Sequence, residues 1–490
     1  MNIAFRTDSS FTIGTGHVHR CLNLARKFKK RDSKCYFFTN DYPGNINKLI
    51  QNEFDIFKLS TKFSKNFYTK NQNLTDANLT IKFIKKLDID IIFLDNYLIK
   101  ESWEKKVSKF TKIVLISDFI NRKSYCNFYI NYNTFCEDFS ISKNLSKECI
   151  KLIGTDYLIT KDLYHLKKKI EKKITVFMGG ADSKNYTSKL ISILSDKLFL
   201  NFKKVIIIGI KNTKTKLLID RIKKLKNFKF FIGNKKNLYS FFINSKLVIT
   251  GLGISMYEHL ILGLNSIVII QNNLQKKVMK NLSLIDSINF INDKKKLNKN
   301  HIYKILSEEH SLKKKLYLQN LYNSRGSDRI VDYFLSKNIL KNLKLEEATY
   351  NDKFFLYKLV NDAQAIKNSL GNKFISLKEH IKWFKKVMKK KNSKIYICRT
   401  SKHRIGQVRL DQVSKKKNLI TYSVANEFRG KNIGYKMLNL ALKKKFYEKK
   451  ELYAMVKKNN KVSNYIFKKI GFELIKTPTK NNNIYYLKNN

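Results

Sequence analysis

Residues 3–20 of the chain read IAFRTDSSFTIGTGHVHR, and they predict a strand, a glycine-containing turn and a helix in that order. The apolar strand covers residues 3–5, the turn holds Gly14 and Gly16, and a helical pattern begins at His17. Glycine lets the backbone approach a phosphate closely, and the first N–H groups of the helix point towards it. The stretch therefore predicts an anion site at the start of an α/β domain. Its spacing, G-x-G-H-x-x-R, lacks the third glycine of a dinucleotide-binding fingerprint.

His17 adds a reactive group to this predicted anion site. The positive end of a helix tends to lower the pKa of an imidazole, which favours a neutral ring that accepts a proton near neutral pH. A histidine beside a phosphate-binding turn is a candidate general base for the attack of water on a sugar phosphate. Spacing alone leaves open the alternative that His17 only caps the helix.

Length and composition limit the class of protein. The chain has 490 residues, 43% of them hydrophobic, which predicts two to four domains with packed cores. We see no apolar run long enough for a membrane span and no signal peptide before the first strand, so we expect a cytoplasmic protein. The six cysteines show neither metal-ligand nor redox spacing, and we expect them to be reduced.

The formal net charge of +61 raises the question of a nucleic-acid or anionic-membrane partner. Only 12 of the 99 basic residues are arginine, the residue suited to bidentate contacts with phosphates and bases. The lysines are also spread along the whole chain rather than gathered in one segment. We therefore attribute the charge to general composition and expect no nucleic-acid partner, although a positive field favours small anionic substrates.

Apolar runs separated by helical patterns predict a doubly wound parallel sheet in the first part of the chain. The predicted strands after the first are residues 33–39, 90–95 and 112–117. Polar residues just past such strands face the crevice in which α/β sheets bind ligands. The residues in that position are Asp95, Asn96, Tyr97 and Asp118, and taken one at a time the pattern favours an ordinary loop or cap role for each.

The same pattern starts again at residue 173 and predicts a second doubly wound sheet. Its predicted strands are residues 174–178, 205–209, 229–233, 247–250 and 266–270. Gly179 and Gly180 follow the first of these strands in the sequence GGADSKN, which suits a phosphate-binding turn.

A second glycine-rich turn lies in TGLGISMYEHL, residues 250–260. Gly251 and Gly253 again allow close approach of the backbone, and Ser255 starts the helix. Glu258 follows one turn later, where it is placed to accept hydrogen bonds from a ribose diol. The alternative is a plain strand-to-helix turn with an exposed glutamate.

A different pattern begins after a short polar connection at residues 336–345. Residues 346–368 predict a strand followed by a helix, and residues 395–399, 404–411 and 420–424 predict antiparallel strands. Mixed strands and helices of this kind indicate an α+β domain. Residues 422–435, YSVANEFRGKNIGY, place the loop R-G-K-N-I-G between a strand and a helix. Successive backbone N–H groups in such a loop can bind a pyrophosphate.

The first part of the chain resembles the UDP-sugar hydrolases of pseudaminic acid biosynthesis. The resemblance rests on FRTDSSFTIGTGHVHRCLNLA, LDNY, GGADSKN, TGLGIS and SRGSDRIV, and it covers about residues 1–335. These enzymes are similar to two-domain glycosyltransferases but pass the sugar to water. The resemblance implies His17 as the catalytic residue. The UDP-sugar site that it implies consists of Arg6, Asp8, Gly14, Gly16, Tyr97, Gly179, Gly180, Gly251, Gly253, Ser255 and Glu258. The turn TGLGIS departs from the more serine-rich turn of relatives, which leaves the diphosphate donors open.

The last part of the chain resembles the GNAT acetyltransferases. The loop RGKNIG resembles their acetyl-CoA loop, and residues 460–463 and 467–472 resemble their last helix and its terminal Gly-Phe turn. The acetyl-CoA site that the resemblance implies consists of Val424, Arg429, Gly430, Lys431, Asn432, Ile433, Gly434, Tyr435 and Asn460. Many members carry a tyrosine acid where this chain has Phe467, and Tyr465 points elsewhere on a helix. The general acid therefore stays open between water, Tyr465 and another group.

The sequence thus predicts an α/β fold with two Rossmann-like, GT-B-like domains at residues 1–160 and 161–338, followed by an α+β GNAT domain at residues 344–490. The resemblances imply a bifunctional enzyme. One activity acetylates a 4-amino sugar with acetyl-CoA, and the other, without a metal, hydrolyses UDP-2,4-diacetamido-2,4,6-trideoxy-β-L-altropyranose. A glycosyltransferase on the same scaffold is the main alternative, and a non-catalytic basic binding protein is a second one. The sugar isomer, the acyl group, the oligomeric state and channelling stay open.

Overall fold

The structure is a computed structural model. It describes the whole chain except residues 11–12, 60–68, 119–122, 133–142, 147, 162, 164–169, 181, 183, 211, 234–237, 272–274, 277–278, 280–287, 293–296, 309–324, 336–339, 341, 372, 391, 416, 444–450, 476–480 and 488–490. The chain forms two compact units, and each draws on two separate segments. Unit 1 consists of Met1–Leu98 and Leu158–Ser327, and unit 2 of Ile99–Tyr157 and Asp328–Asn490.

The first sheet of unit 1 contains four parallel strands in the order β3-β2-β1-β4. The strands are Asn2–Thr7 (β1), Lys34–Thr39 (β2), Asp55–Lys58 (β3) and Ile91–Asp95 (β4). The helices of this part are Gly16–Lys29 (α1), Asn47–Gln51 (α2) and Lys70–Leu87 (α3). Ile3, Ala4 and Phe5 are fully buried, as expected for a central strand of a parallel sheet covered on both faces.

The second sheet of unit 1 has six parallel strands in the order β10-β9-β8-β11-β12-β13. The strands are Glu171–Phe177 (β8), Lys203–Ile208 (β9), Phe228–Ile232 (β10), Ser245–Gly251 (β11), Ser266–Ile269 (β12) and Asn289–Ile291 (β13). The helices are Tyr186–Leu194 (α5), Thr215–Lys223 (α6), Leu238–Phe242 (α7), Ile254–Ile261 (α8) and Lys299–Ser307 (α9). Isoleucines and leucines of the strands form one buried core with helices α5, α6 and α9.

Unit 2 begins with three parallel strands and a short helix. The strands Lys112–Ile116 (β5), Phe128–Asn131 (β6) and Ile150–Ile153 (β7) pair in chain order, and Glu101–Val107 (α4) precedes them. Helix α10, Gly326–Leu335, leads into the rest of the unit.

The remainder of unit 2 is a seven-stranded sheet in the order β14-β15-β16-β17-β18-β20-β19. Its strands are Lys344–Glu347 (β14), Ser393–Arg399 (β15), Arg404–Ser414 (β16), Lys417–Val424 (β17), Glu451–Lys457 (β18), Glu473–Ile475 (β19) and Asn482–Leu487 (β20). Its helices are Lys353–Val360 (α11), Ala363–Asn368 (α12), Leu377–Lys389 (α13), Ile433–Leu442 (α14) and Lys461–Lys469 (α15). Neighbouring strands are antiparallel except β17 and β18, which are parallel.

The predicted fold class is confirmed, since two parallel sheets are followed by a mixed sheet with helices. The domain boundaries inferred from the sequence remain predictions, and the compact units follow a different division. Residues 99–157 belong to unit 2, and polar side chains connect the end of this segment to the C-terminal part of the unit. Asp156 accepts a hydrogen bond of 2.6 Å from Arg404, and Tyr157 donates one of 2.6 Å to Glu427.

Candidate functional site

The loop between β1 and α1 presents backbone N–H groups at the start of a helix. Gly14 has a φ of +94°, a conformation that favours glycine, and its N–H donates to the carbonyl of Ser10 at 3.1 Å. Thr15 precedes the helix without capping it through its side chain. Gly16 then opens α1, so the predicted strand, turn and helix lie as the sequence indicated.

His17 is buried in the first turn of α1 and contacts three neighbours, Asp95, Tyr97 and Arg20, whose Nη2 lies 2.9 Å from Nδ1 of the imidazole. Its Nδ1 lies 2.6 Å from Oδ1 of Asp95, which ends β4. The ring of Tyr97 meets the imidazole edge-on, with ring centres 4.4 Å apart. Since Nδ1 faces the carboxylate, Nε2 is the nitrogen left to exchange a proton with a ligand.

Arg20 fixes the carboxylate that orients His17. Its Nε donates to Oδ2 of Asp95 and its Nη2 to Oδ1, both at 2.8 Å, which is a bidentate pair. Arg20 is 3% exposed and Asp95 is fully buried. The position of Asp95 at the end of a strand marks it in the sequence as a possible pocket residue, whereas Arg20 is not among the residues predicted for the site. The signal was present in the motif, since positions i and i+3 of a helix share one face.

Arg6 and Asp8 lie fully buried behind the same loop and bond to each other at 2.8 Å. Arg6 also pairs with Asp76, with Nη2 to Oδ2 at 2.6 Å. Asp8 accepts hydrogen bonds from the backbone N–H of Asn40 and the side chain of Asn96, both at 2.7 Å. These contacts support a positioning role for the two residues, which hold the loop in place.

The two glycine-rich turns of the second sheet meet in one cleft of about 230 Å³. The sequence had indicated Gly179, Gly180, Gly251, Gly253 and Ser255, and the structure brings all of these together. The residues that line the cleft are Phe177, Met178, Gly179, Gly180, Asp182, Thr250, Gly251, Leu252, Gly253, Ser255, Gln271 and Gln275.

Two glutamines that are not among the residues predicted from the sequence line this cleft and bond to the backbone of its turns. Gln271 donates from Nε2 to the carbonyl of Met178 at 2.9 Å, and Gln275 donates to the carbonyl of Leu252 at 2.8 Å. A Cβ on Gly251 would lie 2.2 Å from Nε2 of Gln271, so this position requires glycine while Gln271 stays in place.

The helices α5 and α8 both begin at the cleft, and they differ in whether a side chain already accepts hydrogen bonds from their first N–H groups. The carboxylate of Asp182 accepts hydrogen bonds from the N–H groups of Tyr186 at 2.9 Å and Thr187 at 2.8 Å, so it occupies the start of α5. Gly253 precedes α8 without a side-chain cap. The start of α8, next to Ser255, is therefore the end that can accept a phosphate.

Glu258 lies on α8, one turn from this helix start. Burial raises the pKa of its carboxyl from 4.5 to about 7, and the positive charge of Lys161 acts in the opposite direction. Lys161 and Glu258 both belong to the second segment of unit 1, Leu158–Ser327. A carboxyl held in this way accepts or donates hydrogen bonds according to pH.

The raised pKa of Glu258 predicts a dependence of stability on pH. The folded state binds a proton more tightly than the unfolded state, so stability falls as pH rises from 4.5 to about 7. The glutamine of Glu258→Gln does not titrate, so the variant's melting temperature is expected to change less with pH between 4.5 and about 7 than that of the wild type. Thermal unfolding followed by circular dichroism at several pH values checks this. A wild-type-like pH slope in the variant would contradict it.

In the C-terminal domain, the loop before α14 has the geometry that the sequence predicted. Gly430 has a φ of +76° and Asn432 a φ of +56°, and Asn432 precedes α14 without a side-chain cap. Arg429 faces the protein: Nε donates to the carbonyl of Val424 at 3.0 Å and Nη2 to Asp362 at 2.6 Å. Arg429 therefore positions the loop, and the backbone N–H groups and the helix start can hold a pyrophosphate.

The strands next to this loop separate from each other. Lys417, Asn418 and Leu419 of β17 pair with β18, whereas β17 continues to Val424. Gly434, in the first turn of α14, packs so closely that a Cβ would lie 2.8 Å from the ring of Tyr422. This opening lies beside the start of α14.

The other predicted residues of this site lie around the loop. Ile433 is buried, Lys431 places its Nζ 5.5 Å from the ring centre of Tyr333, and Lys469 lies 5.0 Å from that of Tyr435. Asn460 caps α15 by accepting a hydrogen bond from the N–H of Ser463.

Asp118, a residue that the sequence indicates as a possible pocket residue, follows β5 in unit 2.

Among the described residues, no three His, Cys, Asp or Glu side chains are grouped so that they could hold a metal ion. No helix in the described ranges is long and apolar enough to cross a membrane.

Comparison with known proteins gives matches to both parts of the chain. Residues 342–473 match the model of the acetyltransferase (GNAT) domain. An uncharacterized protein of Methanocaldococcus jannaschii is 26% identical over 522 aligned residues, 99% of each chain. UDP-2,4-diacetamido-2,4,6-trideoxy-beta-L-altropyranose hydrolase of Campylobacter jejuni is 27% identical over 219 residues, 42% of this chain and 73% of that enzyme.

Among solved structures, MurG of Acinetobacter baumannii is similar with a TM-score of 0.48 and 11% identity, over 68% of this chain and 98% of that one. The chain thus joins a segment similar to a UDP-sugar hydrolase to a GNAT domain, and the two resemblances stated from the sequence are confirmed.

Proposed function

We propose that the chain is a bifunctional enzyme that acetylates a UDP-linked 4-amino sugar and then hydrolyses the diacetamido product to free sugar and UDP. The observation that carries the hydrolase part is the buried contact of His17 with Asp95 at the start of α1. The GNAT match over residues 342–473 supports the acetyltransferase part. The similarity to the Campylobacter jejuni hydrolase supports the choice of substrate class.

In the hydrolase, His17 accepts a proton from the attacking water through Nε2. Asp95 fixes the ring by its contact with Nδ1 and stabilises the imidazolium that forms, while Arg20 holds the carboxylate in place. Water adds to the anomeric carbon, and the bond between that carbon and the phosphate oxygen breaks. The proton on His17 passes to solvent afterwards.

The leaving UDP carries negative charge, and the cleft of the second sheet supplies hydrogen-bond donors that can stabilise this charge. The N–H groups at the start of α8 and the hydroxyl of Ser255 face the cleft that Gly251 and Gly253 line. Glu258, one turn further along, is placed for the ribose diol. In this assignment the positive end of a helix stabilises the departing charge.

In the acetyltransferase, acetyl-CoA supplies the acetyl group. The loop from Arg429 to Asn432 and the start of α14 hold its pyrophosphate through backbone N–H groups. The acetyl thioester then lies towards the opening between β17 and β18, where the amine attacks the carbonyl carbon. Acetylation comes first in this order, because the related hydrolase is named for the diacetamido sugar.

An NMR assay of the purified protein tests both activities. The substrate is UDP-4-amino-4,6-dideoxy-N-acetyl-β-L-altrosamine, incubated with and without acetyl-CoA. We expect free diacetamido sugar and UDP only when acetyl-CoA is present. A sugar nucleotide that is acetylated but never hydrolysed would contradict the hydrolase assignment and would favour a glycosyltransferase that needs an acceptor. Absence of acetylation would contradict the acetyltransferase assignment.

A further inference from the structure

The hydroxyl of Ser463 lies between two polar side chains in the first turn of α15. Nδ2 of Asn460 donates to Oγ of Ser463 at 3.0 Å, and the phenol oxygen of Tyr422 lies 3.0 Å from the same Oγ. Since the amide of Asn460 can only donate here, it uses one lone pair of the serine oxygen. The Tyr422 hydroxyl is then free to donate to Ser463, whose own proton is left for a third group.

This hydroxyl pair lies at the opening between β17 and β18. Tyr422 is three residues beyond Leu419, which is in register with Tyr453 of β18. The ring of Tyr422 packs against the first turn of α14 at Gly434 and against Phe467, with ring centres 5.8 Å apart. The pair therefore lies beside both the start of α14, which is assigned to the pyrophosphate, and the opening that is assigned to the thioester.

Neither Phe467, which stands where many GNAT enzymes carry a tyrosine acid, nor Tyr465, the side chain that the sequence left open as the acid, belongs to this pair. Phe467 is 2% exposed, packs against Tyr485 and Phe472, and has no proton to give. Tyr465 is 61% exposed on another face of α15. Ser463 and Tyr422 are the hydroxyl groups that α15 and β17 bring together.

We propose, building on the acetyltransferase activity assigned above, that Ser463 donates the proton to the sulfur of the leaving coenzyme A and that Tyr422 resupplies it. The amine nitrogen forms a bond to the acetyl carbon, and the carbon–sulfur bond breaks with its electron pair on sulfur. Sulfur takes the proton of the Ser463 hydroxyl, and the serine oxygen takes that of Tyr422. The nitrogen of the new amide releases its surplus proton to water. The oxygen of Tyr422 takes a proton back from water, which restores the phenol.

Burial raises the pKa of Tyr422 above its usual value, so the phenol enters each cycle protonated. A relay of this kind needs short contacts between the hydroxyls rather than a strong acid, because the proton moves only as the sulfur charge develops. The 3.0 Å separation of the two oxygens meets that requirement.

Acetyl transfer by the full-length chain with Ser463→Ala, Ser463→Thr and Tyr422→Phe tests the proposal, with Tyr465→Phe as the matched control. Ser463→Ala is expected to lower kcat on the order of 10²-fold with the KM for acetyl-CoA unchanged. Ser463→Thr keeps a hydroxyl and is expected to restore most of kcat. Tyr422→Phe is expected to lower kcat on the order of 10-fold, and Tyr465→Phe to leave it unchanged.

Each result bears on the relay separately from the acetyltransferase assignment. Wild-type kcat in Ser463→Ala, or a threonine variant as slow as the alanine variant, would overturn the relay while acetyl transfer itself stands. Wild-type protein that transfers no acetyl group would overturn the assignment on which the relay rests. Tyr422→Phe keeps the aromatic packing against Phe467, so it decides the question should the serine variants fold poorly.

Discussion

His17→Ala is expected to lower the rate of UDP-sugar hydrolysis by about 10³-fold and to leave acetyl transfer unchanged. The imidazole is the group assigned to take the proton of the attacking water, and its contact with Asp95 at 2.6 Å fixes it for that task. The variant should accumulate the UDP-diacetamido sugar from the amino-sugar substrate and acetyl-CoA. Release of UDP, followed by NMR over time, gives the rate.

The control for this variant is His301→Ala. His301 lies near the start of α9, in unit 1 but outside both candidate sites, so both rates should equal those of the wild type. UDP binding by His17→Ala, measured by calorimetry, should also be unchanged, because His17 does not line the glycine-rich cleft. Hydrolysis by His17→Ala at the wild-type rate would remove the histidine from the mechanism.

Arg404→Leu is expected to destabilise unit 2 by about 3 kcal/mol, because it removes the arginine that two carboxylates share and leaves Asp156 only with Arg329 and Asp352 only with Arg399. Arg404 donates to Asp156 at 2.6 Å and to Asp352 at 3.0 Å. The only two tryptophans of the chain, Trp103 and Trp383, belong to unit 2. Tryptophan fluorescence during urea unfolding therefore reports on this unit.

Lys394→Met is the matched control for Arg404→Leu. Lys394 pairs with Glu347 where both side chains are partly exposed, and such pairs contribute at most about 1 kcal/mol. A loss of stability in Arg404→Leu no larger than that of the control would contradict the role assigned to the buried charges.

The same charges predict how the effect of Arg404→Leu varies with pH. Although burial raises the pKa of Asp156, Arg404 and Arg329 outweigh that effect and lower it from 3.8 to about 2. The stabilisation is therefore fully present above the unfolded-state value of 3.8 and is lost as pH falls through about 2. The stability difference between wild type and variant should narrow over that window.

The sequence predicted the fold class and the glycine-rich turns because both depend on local patterns. Alternating apolar runs and helical segments define the two parallel sheets, and the turns at Gly14, Gly253 and Gly430 each lie between a strand and the next α-helix. The same local signals placed His17 at the start of α1. The sequence also indicated Asp95 as a possible pocket residue, since it ends a strand of the sheet, and left open an ordinary loop or cap role.

Contacts between distant segments could not be predicted in this way. Arg20 acts on Asp95, 75 positions away, and only the pairing of β1 with β4 brings the two together. Asp182 occupies the start of α5 with its own carboxylate, which a glycine-rich sequence does not reveal. The contact of Tyr422 with Ser463 likewise depends on how β17 and α15 pack.

The most direct test of the account is hydrolysis of the UDP-diacetamido sugar in ¹⁸O-labelled water, followed by mass spectrometry of the UDP. The phosphate oxygens of UDP do not exchange with water on this timescale, so the label in UDP reports which bond breaks. The account predicts free sugar together with UDP that contains no ¹⁸O, because water attacks the anomeric carbon. Label in the β-phosphate of UDP, or UDP formed without any free sugar, would contradict the account.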